Sequence, residues 1–300
     1  MSDTLKGYLF ALVSALTYGM IPLFMIPLKK LDSFSVDTAL FYRFLIAAIL
    51  ILGYLVFYQK ESVKINLKEG IIFSILGLFY ALSAEFLFIA YDFLSPGIAS
   101  TIFFIYPIMV ALILGIFFKE KITLATTISL IVVVVGVAVL SIKPKNNDDK
   151  DNFGINSIYI GLFVSLLGAL MYALYMIIVN KTKIKASGVK VSFYSMVFAS
   201  LFFLVKTLVL GNSVAIPSLE IGTHLTLFAL ITTALSVVSL VYAIKFIGST
   251  PTAIMGAVEP VVAVMISVGL FDETLTLSLI AGVIIIISGV LIDVVFNKKK

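Results

Sequence analysis

Apolar stretches of about 20 residues recur from one end of the chain to the other, separated by breaks rich in Lys, Asp, Asn, Pro and Gly. A stretch of that length crosses a hydrocarbon core of roughly 30 Å as an α-helix, where each backbone N–H and C=O finds a partner without water. Barrel strands would read as shorter, alternating segments. The pattern predicts ten spans, near 7–27, 37–58, 69–91, 95–118, 122–142, 155–180, 189–210, 223–246, 250–271 and 276–296. One break is longer than the rest: Lys143-Pro-Lys-Asn-Asn-Asp-Asp-Lys-Asp-Asn152, between spans five and six. It divides the chain into a first unit, 1–142, a polar linker, 143–154, and a second unit, 155–300.

The two units repeat one another. Sliding the chain by 153 positions sets Phe93 on Phe246, Pro107 on Pro260, Glu120 on Glu273, Thr123 on Thr276, Leu124 on Leu277 and Gly136-Val137 on Gly289-Val290. A slide of 154 sets Gly7, Ala11, Ala15 and Gly19 on Gly161, Ser165, Ala169 and Ala173, and Tyr18 on Tyr172. Small residues four apart form one helix stripe that lets a neighbouring backbone come close, which is how membrane helices pack without a hydrophobic drive. Because each unit has an odd number of spans, the second starts from the opposite face of the membrane. The expected fold is therefore an all-α integral membrane protein of ten transmembrane helices, arranged as two inverted five-helix repeats. Inverted repeats give secondary transporters two mirror-related conformations, with the substrate near the midplane between halves. That step from fold to function is an analogy of architecture.

Composition fits the pattern: 61% of residues are hydrophobic and only 12% charged, where a soluble domain carries roughly 25% charged residues. The lysines give an orientation, since cytoplasmic loops are enriched in them. With the N-terminus inside, fourteen lysines from Lys6 to Lys300 fall on the inner side, against Lys29, Lys30, Lys143, Lys145 and Lys150 outside. Both termini are thus expected in the cytoplasm, the membrane being a bacterial plasma membrane, with the first apolar run kept as an anchor rather than cleaved. The same asymmetry accounts for the net charge of +5 without a nucleic-acid partner. With no cysteine, disulfides and thiolate metal sites are excluded, and neither a metal nor a cofactor is expected. The chain has no phosphate-binding loop, dinucleotide fingerprint, metalloprotease motif or nucleophile elbow, so any driving force must come from a gradient or from the substrate.

Candidate chemistry lies inside the spans. In Ile254-Met-Gly-Ala-Val-Glu-Pro260 a carboxylate and a proline stand side by side. Pro260 lacks an N–H and is expected to kink or loosen span nine at Gly256, as Pro107 would span four at Phe103; both are read as hinge or scaffold. Glu259 falls on Tyr106 in the repeat, so the shared fold does not require it. A carboxylate at that depth is costly when charged and usually faces a cavity or a partner, which makes substrate binding or proton exchange its expected role; the bland alternative is a protonated acid bonded to a neighbouring helix. Arg43 and Glu85 are likewise unmatched, falling on Met196 or Val197 and on Val238 or Ser239. They either bridge each other or hold the two ends of a zwitterionic substrate. Tyr18, Tyr80, Tyr106 and Tyr172 are candidates to line a cavity with ring and hydroxyl. The lone His224 is expected to be interfacial, and Lys206 and Lys245 to snorkel toward span ends.

Ala90-Tyr-Asp-Phe-Leu-Ser-Pro-Gly97 through Tyr106-Pro107 to Phe117-Phe-Lys-Glu-Lys-Ile-Thr123, and Ala243-Ile-Lys-Phe-Ile-Gly248 through Val258-Glu-Pro260 to Leu270-Phe-Asp-Glu-Thr-Leu-Thr276, resemble the paired domains of the drug/metabolite transporter superfamily, and within it the EamA family. Gly282-Val-Ile-Ile-Ile-Ile-Ser-Gly289 and Arg43 also match that pattern, and the resemblance covers nearly all of the chain outside the linker and tails. It implies a ten-helix inverted-repeat carrier, not an enzyme, that moves amino acids or other small metabolites, usually outward, through a central cavity lined by both halves. Glu120 and Glu273 would serve loop capping and topology, and Glu85 departs from the pattern. The function expected is a secondary exporter or exchanger working by alternating access, its partners the lipid bilayer, a small-molecule substrate and, through Glu259, protons. The alternatives are a passive facilitator and a non-transporting membrane interaction or sensor protein; no nucleophile–base pair supports an intramembrane enzyme.

Overall fold

The computed structural model describes residues 2–29, 31, 34–90, 92–93, 102–140, 155–182, 186–270 and 276–296. Among these, the regular elements are helices: α1 Asp3–Tyr18, α2 Ile21–Lys29, α3 Val36–Gly53, α4 Leu67–Ala90, α5 Tyr106–Phe118, α6 Leu124–Leu140, α7 Ile155–Lys181, α8 Gly188–Val209, α9 Leu219–Phe228, α10 Ser236–Ile247, α11 Ser249–Met255, α12 Val258–Leu270 and α13 Leu277–Phe296. A π-helical turn, Tyr54–Tyr58, extends α3, and another, Ala229–Leu235, joins α9 to α10. Six of the described helical stretches are long and apolar enough to cross a membrane: Asp3–Met25, Val36–Tyr58, Leu67–Ala90, Tyr159–Lys181, Gly188–Val209 and Leu219–Ile247. Shorter apolar helices lie at Tyr106–Phe118, Leu124–Val139 and Ile280–Ile292. The linker expected at 143–154, residues 95–101 of the fourth span and Glu273 lie outside the described residues. Several helices open on the serine that the sequence places before them. Ser35, Ser187 and Ser218 accept from the backbone N–H groups of Thr38, Lys190 and Ile221, three residues on, and so satisfy a donor that the helix leaves free.

Packing follows the repeat. α1 lies against α10 as α7 lies against α4, while α3 pairs with α8 and α6 with α13. The small-residue stripe is what allows this, since Gly7, Ala11, Ala15 and Gly19 are all buried, and so are Gly161, Ser165, Ala169 and Ala173. The repeat-related pair Gly136 and Gly289 meets in one interface. A Cβ on Gly136 would come within 2.8 Å of the Ile286 backbone nitrogen, and one on Gly289 within 3.1 Å of that of Val133, while Ser129 Oγ donates to the Gly289 carbonyl at 2.7 Å.

Spans four and nine do not merely kink. Each is interrupted by a turn, at Phe104–Ile105 and at Gly256–Ala257, and a fresh helix starts at Tyr106, one residue before Pro107, and at Val258, two before Pro260. Pro107 and Pro260 therefore stand in first turns, where a missing N–H costs no helical bond. Span one breaks as well, at Gly19–Met20, although its repeat counterpart α7 runs unbroken.

Candidate functional site

The interruptions converge. Tyr106 donates its hydroxyl to the Ala253 carbonyl at 3.3 Å, and that hydroxyl occupies the space a Cβ on Gly256 would need, so the start of α5 plugs the gap between α11 and α12. The break in span one abuts the same place: a Cβ on Gly19 would lie 2.7 Å from the Glu259 carbonyl and 2.7 Å from Val262 Cβ. Two glycines thus hold three broken helices at one depth, because any side chain would push them apart.

Aromatic rings line this centre around Tyr172. Its ring centroid is 4.9 Å from that of Tyr106, 5.9 Å from Phe103, 6.2 Å from Tyr80 and 6.5 Å from Tyr18, and Tyr80 in turn meets Tyr175 at 5.0 Å. Arg43 enters from α3 with 1% of its surface exposed. Its guanidinium carbon lies 4.8 Å from the Phe228 ring, 5.4 Å from Phe44 and 5.6 Å from Tyr18, so cation–π attraction replaces part of the hydration it has lost. Arg43 Nε donates to Thr233 Oγ1 at 2.7 Å, while Nη2 is buried with no hydrogen-bond partner among the described residues. Arg43 is also the sole arginine of the chain. Glu259, in the first turn of α12, is 8% exposed, and among the described residues its carboxyl enters no salt bridge. The Tyr18 hydroxyl lies within the electrostatic reach of both Arg43 and Glu259, and Tyr106 and Tyr172 within that of Glu259.

Of the candidates read from sequence, Arg43, Tyr18, Tyr80, Tyr106, Tyr172 and Glu259 are brought together here, with Pro107 and Pro260 in the adjoining breaks. Glu85 is not among them. The Arg43–Glu85 bridge that the sequence allowed is not formed; Glu85 pairs with Lys206, which also reaches Asp37 at 2.7 Å. Lys206, expected to snorkel, instead ties the ends of α3, α4 and α8 together, because a lysine in the last turn of α8 meets an acid from each neighbour. Lys245 caps the Ala186 carbonyl. His224 is partly buried and its Nε2 lies 2.8 Å from the Phe24 carbonyl, joining α9 to α2. Sequence reasoning missed Thr233 and the rings of Phe44 and Phe228. One signal was available for Thr233: it stands 153 positions after Tyr80, so both repeats aim the same position at the centre.

A separate cavity of about 380 Å³ opens at the end of the bundle that holds the start of α1, the α5–α6 connection and the α10–α11 turn. Its lining is mixed, including Thr4, Glu120, Lys121, Asn180, Ser249 and Pro251. Glu120 pairs there with Lys181 of α7. The cavity's inner wall, Ala111 and Leu114, lies on α5 one to two turns from Tyr106.

The sequence profile of the EamA-like transporter family matches residues 5–142 and, a second time, residues 159–294. A Haemophilus influenzae protein named an uncharacterized transporter is 29% identical over 176 residues, which cover 57% of this chain and 54% of that protein, so the chain spans about half the length of that relative. An uncharacterized transporter of Clostridium kluyveri is 23% identical over 301 residues, covering 98% of this chain and 94% of the relative. The uncharacterized transporter YyaM of Bacillus subtilis is 24% identical over 277 residues, 89% of each. A crystal structure of a protein only 12% identical superposes with a TM-score of 0.80 over 98% of this chain and 99% of that one, a likeness of fold alone.

Proposed function

Because the chain belongs to the EamA-like transporter family, whose members are membrane transporters and not enzymes, we propose that it is a secondary carrier that exports or exchanges small zwitterionic metabolites such as amino acids across a bacterial plasma membrane. Both termini are cytoplasmic in this reading, which the lysine asymmetry supports. The observation that carries the proposal is the pairing, in one aromatic-lined centre between the two repeats, of a buried arginine with a free Nη2 and a buried carboxyl with no salt bridge among the described residues. A lone guanidinium so deep in a membrane protein is costly, and an incoming carboxylate is the group that satisfies it best. Glu259 takes the substrate ammonium or, when none is bound, a proton. Tyr18, Tyr80, Tyr106 and Tyr172 supply rings for the apolar part and hydroxyls for its polar edge. Alternating access then moves one repeat against the other about this fixed point, with the breaks beside Pro107 and Pro260 as the flexible joints.

The testing experiment is exchange of a labelled amino-acid pool by the protein in liposomes, with and without an imposed pH gradient. The proposal expects flux that the gradient accelerates, and a Glu259→Gln carrier that folds, binds the substrate more weakly and no longer responds to the gradient. Flux of wild-type size and pH dependence in Glu259→Gln would remove the proton role. Absence of any flux, with no solute stabilising the purified protein, would overturn the carrier.

A further inference from the structure

We infer that Thr233 is a positioning residue that decides how the carrier receives a carboxylate: by holding Arg43 Nε it closes one edge of the guanidinium and leaves the Nη1–Nη2 edge as the receptor. The inference rests on the carrier reading and adds a residue and a binding mode to it.

A guanidinium has two edges that match a carboxylate, a side-on edge made of Nε and one Nη, and an end-on edge made of both Nη atoms. In the centre described above, the first is committed. Thr233 Oγ1 accepts from Arg43 Nε at 2.7 Å, a short bond between groups that are each essentially inaccessible, and Nη2 is left without a partner among the described residues. The rings of Phe228, Phe44 and Tyr18 pack around the guanidinium and limit its tilt, but rings alone do not fix rotation about the side-chain axis. The hydroxyl does.

Thr233 is in place because of a local departure from α geometry. The turn Ala229–Leu235 is π-helical, accommodating an extra residue and shifting the face that the following side chains present. Its neighbour Thr232 takes the usual course for a threonine in a helix and bonds back to the Phe228 carbonyl at 2.9 Å. Thr233 bonds across to α3 instead. In the other repeat, Tyr80 holds the equivalent position on α4, which stays α-helical throughout and ends in no such contact with Arg43. A π turn without a role would be a plain loss of helix regularity; here it places one acceptor against the chain's sole arginine.

That single arginine makes the test direct. Full-length protein labelled only with [15N]arginine, in nanodiscs, gives one Nε–Hε resonance. The bond to Thr233 predicts slow exchange of that proton with water in the wild type. Thr233→Val, which keeps the shape and removes the acceptor, should shift the resonance and speed its exchange by about tenfold or more, and Thr233→Ser should restore both. In liposomes, with the labelled amino-acid pool as probe, Thr233→Val should raise KM about tenfold while kcat stays within about twofold, and Thr233→Ser should recover the KM. An Nε–Hε signal indifferent to Thr233→Val overturns the inference, whatever the flux. So does an unchanged KM in Thr233→Val when Arg43→Gln has lost transport. If Arg43→Gln transports as the wild type does, the carrier reading of this centre fails instead, and the resonance alone still decides whether Thr233 orients the guanidinium.

Discussion

The two repeats supply equivalent positions to the centre, and the way they differ there separates framework from chemistry. Tyr18 and Tyr172 are the same residue in both halves and stack on each other. Elsewhere the halves diverge: Tyr80 against Thr233, Tyr106 against Glu259, Arg43 against the buried Met196. The breaks show the same division. Spans four and nine are both interrupted next to a proline, so that interruption belongs to the common plan. The break at Gly19–Met20 and the π turn at Ala229–Leu235 occur in one half only, and they are the features that bring Gly19 against Glu259 and Thr233 against Arg43. A symmetric shell is enough for two mirror-related conformations. What distinguishes one solute from another must come from residues that break the symmetry, since a perfectly repeated site would present like groups to both ends of a substrate.

The most severe way to break this comparison is to remove it. Arg43→Met gives the first repeat the residue of the second, and it should lower amino-acid exchange about a hundredfold, the worth of a buried charge-assisted pair. Its thermal stability should not fall, because a buried guanidinium whose Nη2 has no partner among the described residues is a burden on the empty transporter. Liposome flux and thermal unfolding, measured on the same preparation, check both halves of that expectation. Flux within a few-fold of wild type would put the selectivity elsewhere.

A milder test concerns the framework. Gly256→Ala drives a Cβ into the Tyr106 hydroxyl, and overpacking of this kind costs about 1–3 kcal/mol, a drop of a few degrees in the unfolding midpoint. Adding Tyr106→Phe removes the obstructing oxygen. Little is lost with it, since the Ala253 carbonyl keeps its bond from the Gly256 N–H at 3.1 Å. The double variant should therefore recover most of the stability that Gly256→Ala loses, a coupling that only residues in contact display. Additive losses would mean that the two interrupted spans do not interlock.

How much of this could be read beforehand depended on whether the signal was periodic or spatial. Span number, the repeat and the small-residue stripe are written in spacing, and spacing survives in a linear sequence; Gly136 and Gly289 were found as an aligned pair and meet in one interface. Pro107 and Pro260 marked their joints to within a few residues because a proline acts on its own backbone. Gly19 was read as part of a packing stripe, which it is, but a stripe carries no sign that the helix stops there. Partners were the least legible. Glu85 and Arg43 were the charges nearest at hand, yet Glu85 lies against Lys206, 121 residues further on, and only the docking of α4 on α8 makes them neighbours. Thr233 carried no charge to draw notice.

That Lys206 pairing provides the gentlest and most discriminating test. If the division between framework and chemistry is sound, the charges of the triad Asp37, Glu85 and Lys206 belong to the framework, although Glu85 is as buried as Glu259. Lys206→Met removes the shared partner of two acids. Lys206 is itself about a third exposed, so water screens part of the loss, and the expected cost is about 1 kcal/mol rather than the several expected of a fully buried pair. Exchange should stay within about twofold of wild type, with KM unmoved, because none of the three belongs to the centre proposed to bind substrate. Adding Glu85→Gln should return part of the stability by removing a buried acid that has lost its partner. The decisive comparison is with Arg43→Met: one variant is expected to lose transport while keeping its stability, the other to lose stability while keeping transport. If Lys206→Met loses transport on the scale of Arg43→Met at unchanged stability, the triad lies in the solute's path, and the chemistry of this carrier extends from the midplane to the end of α8.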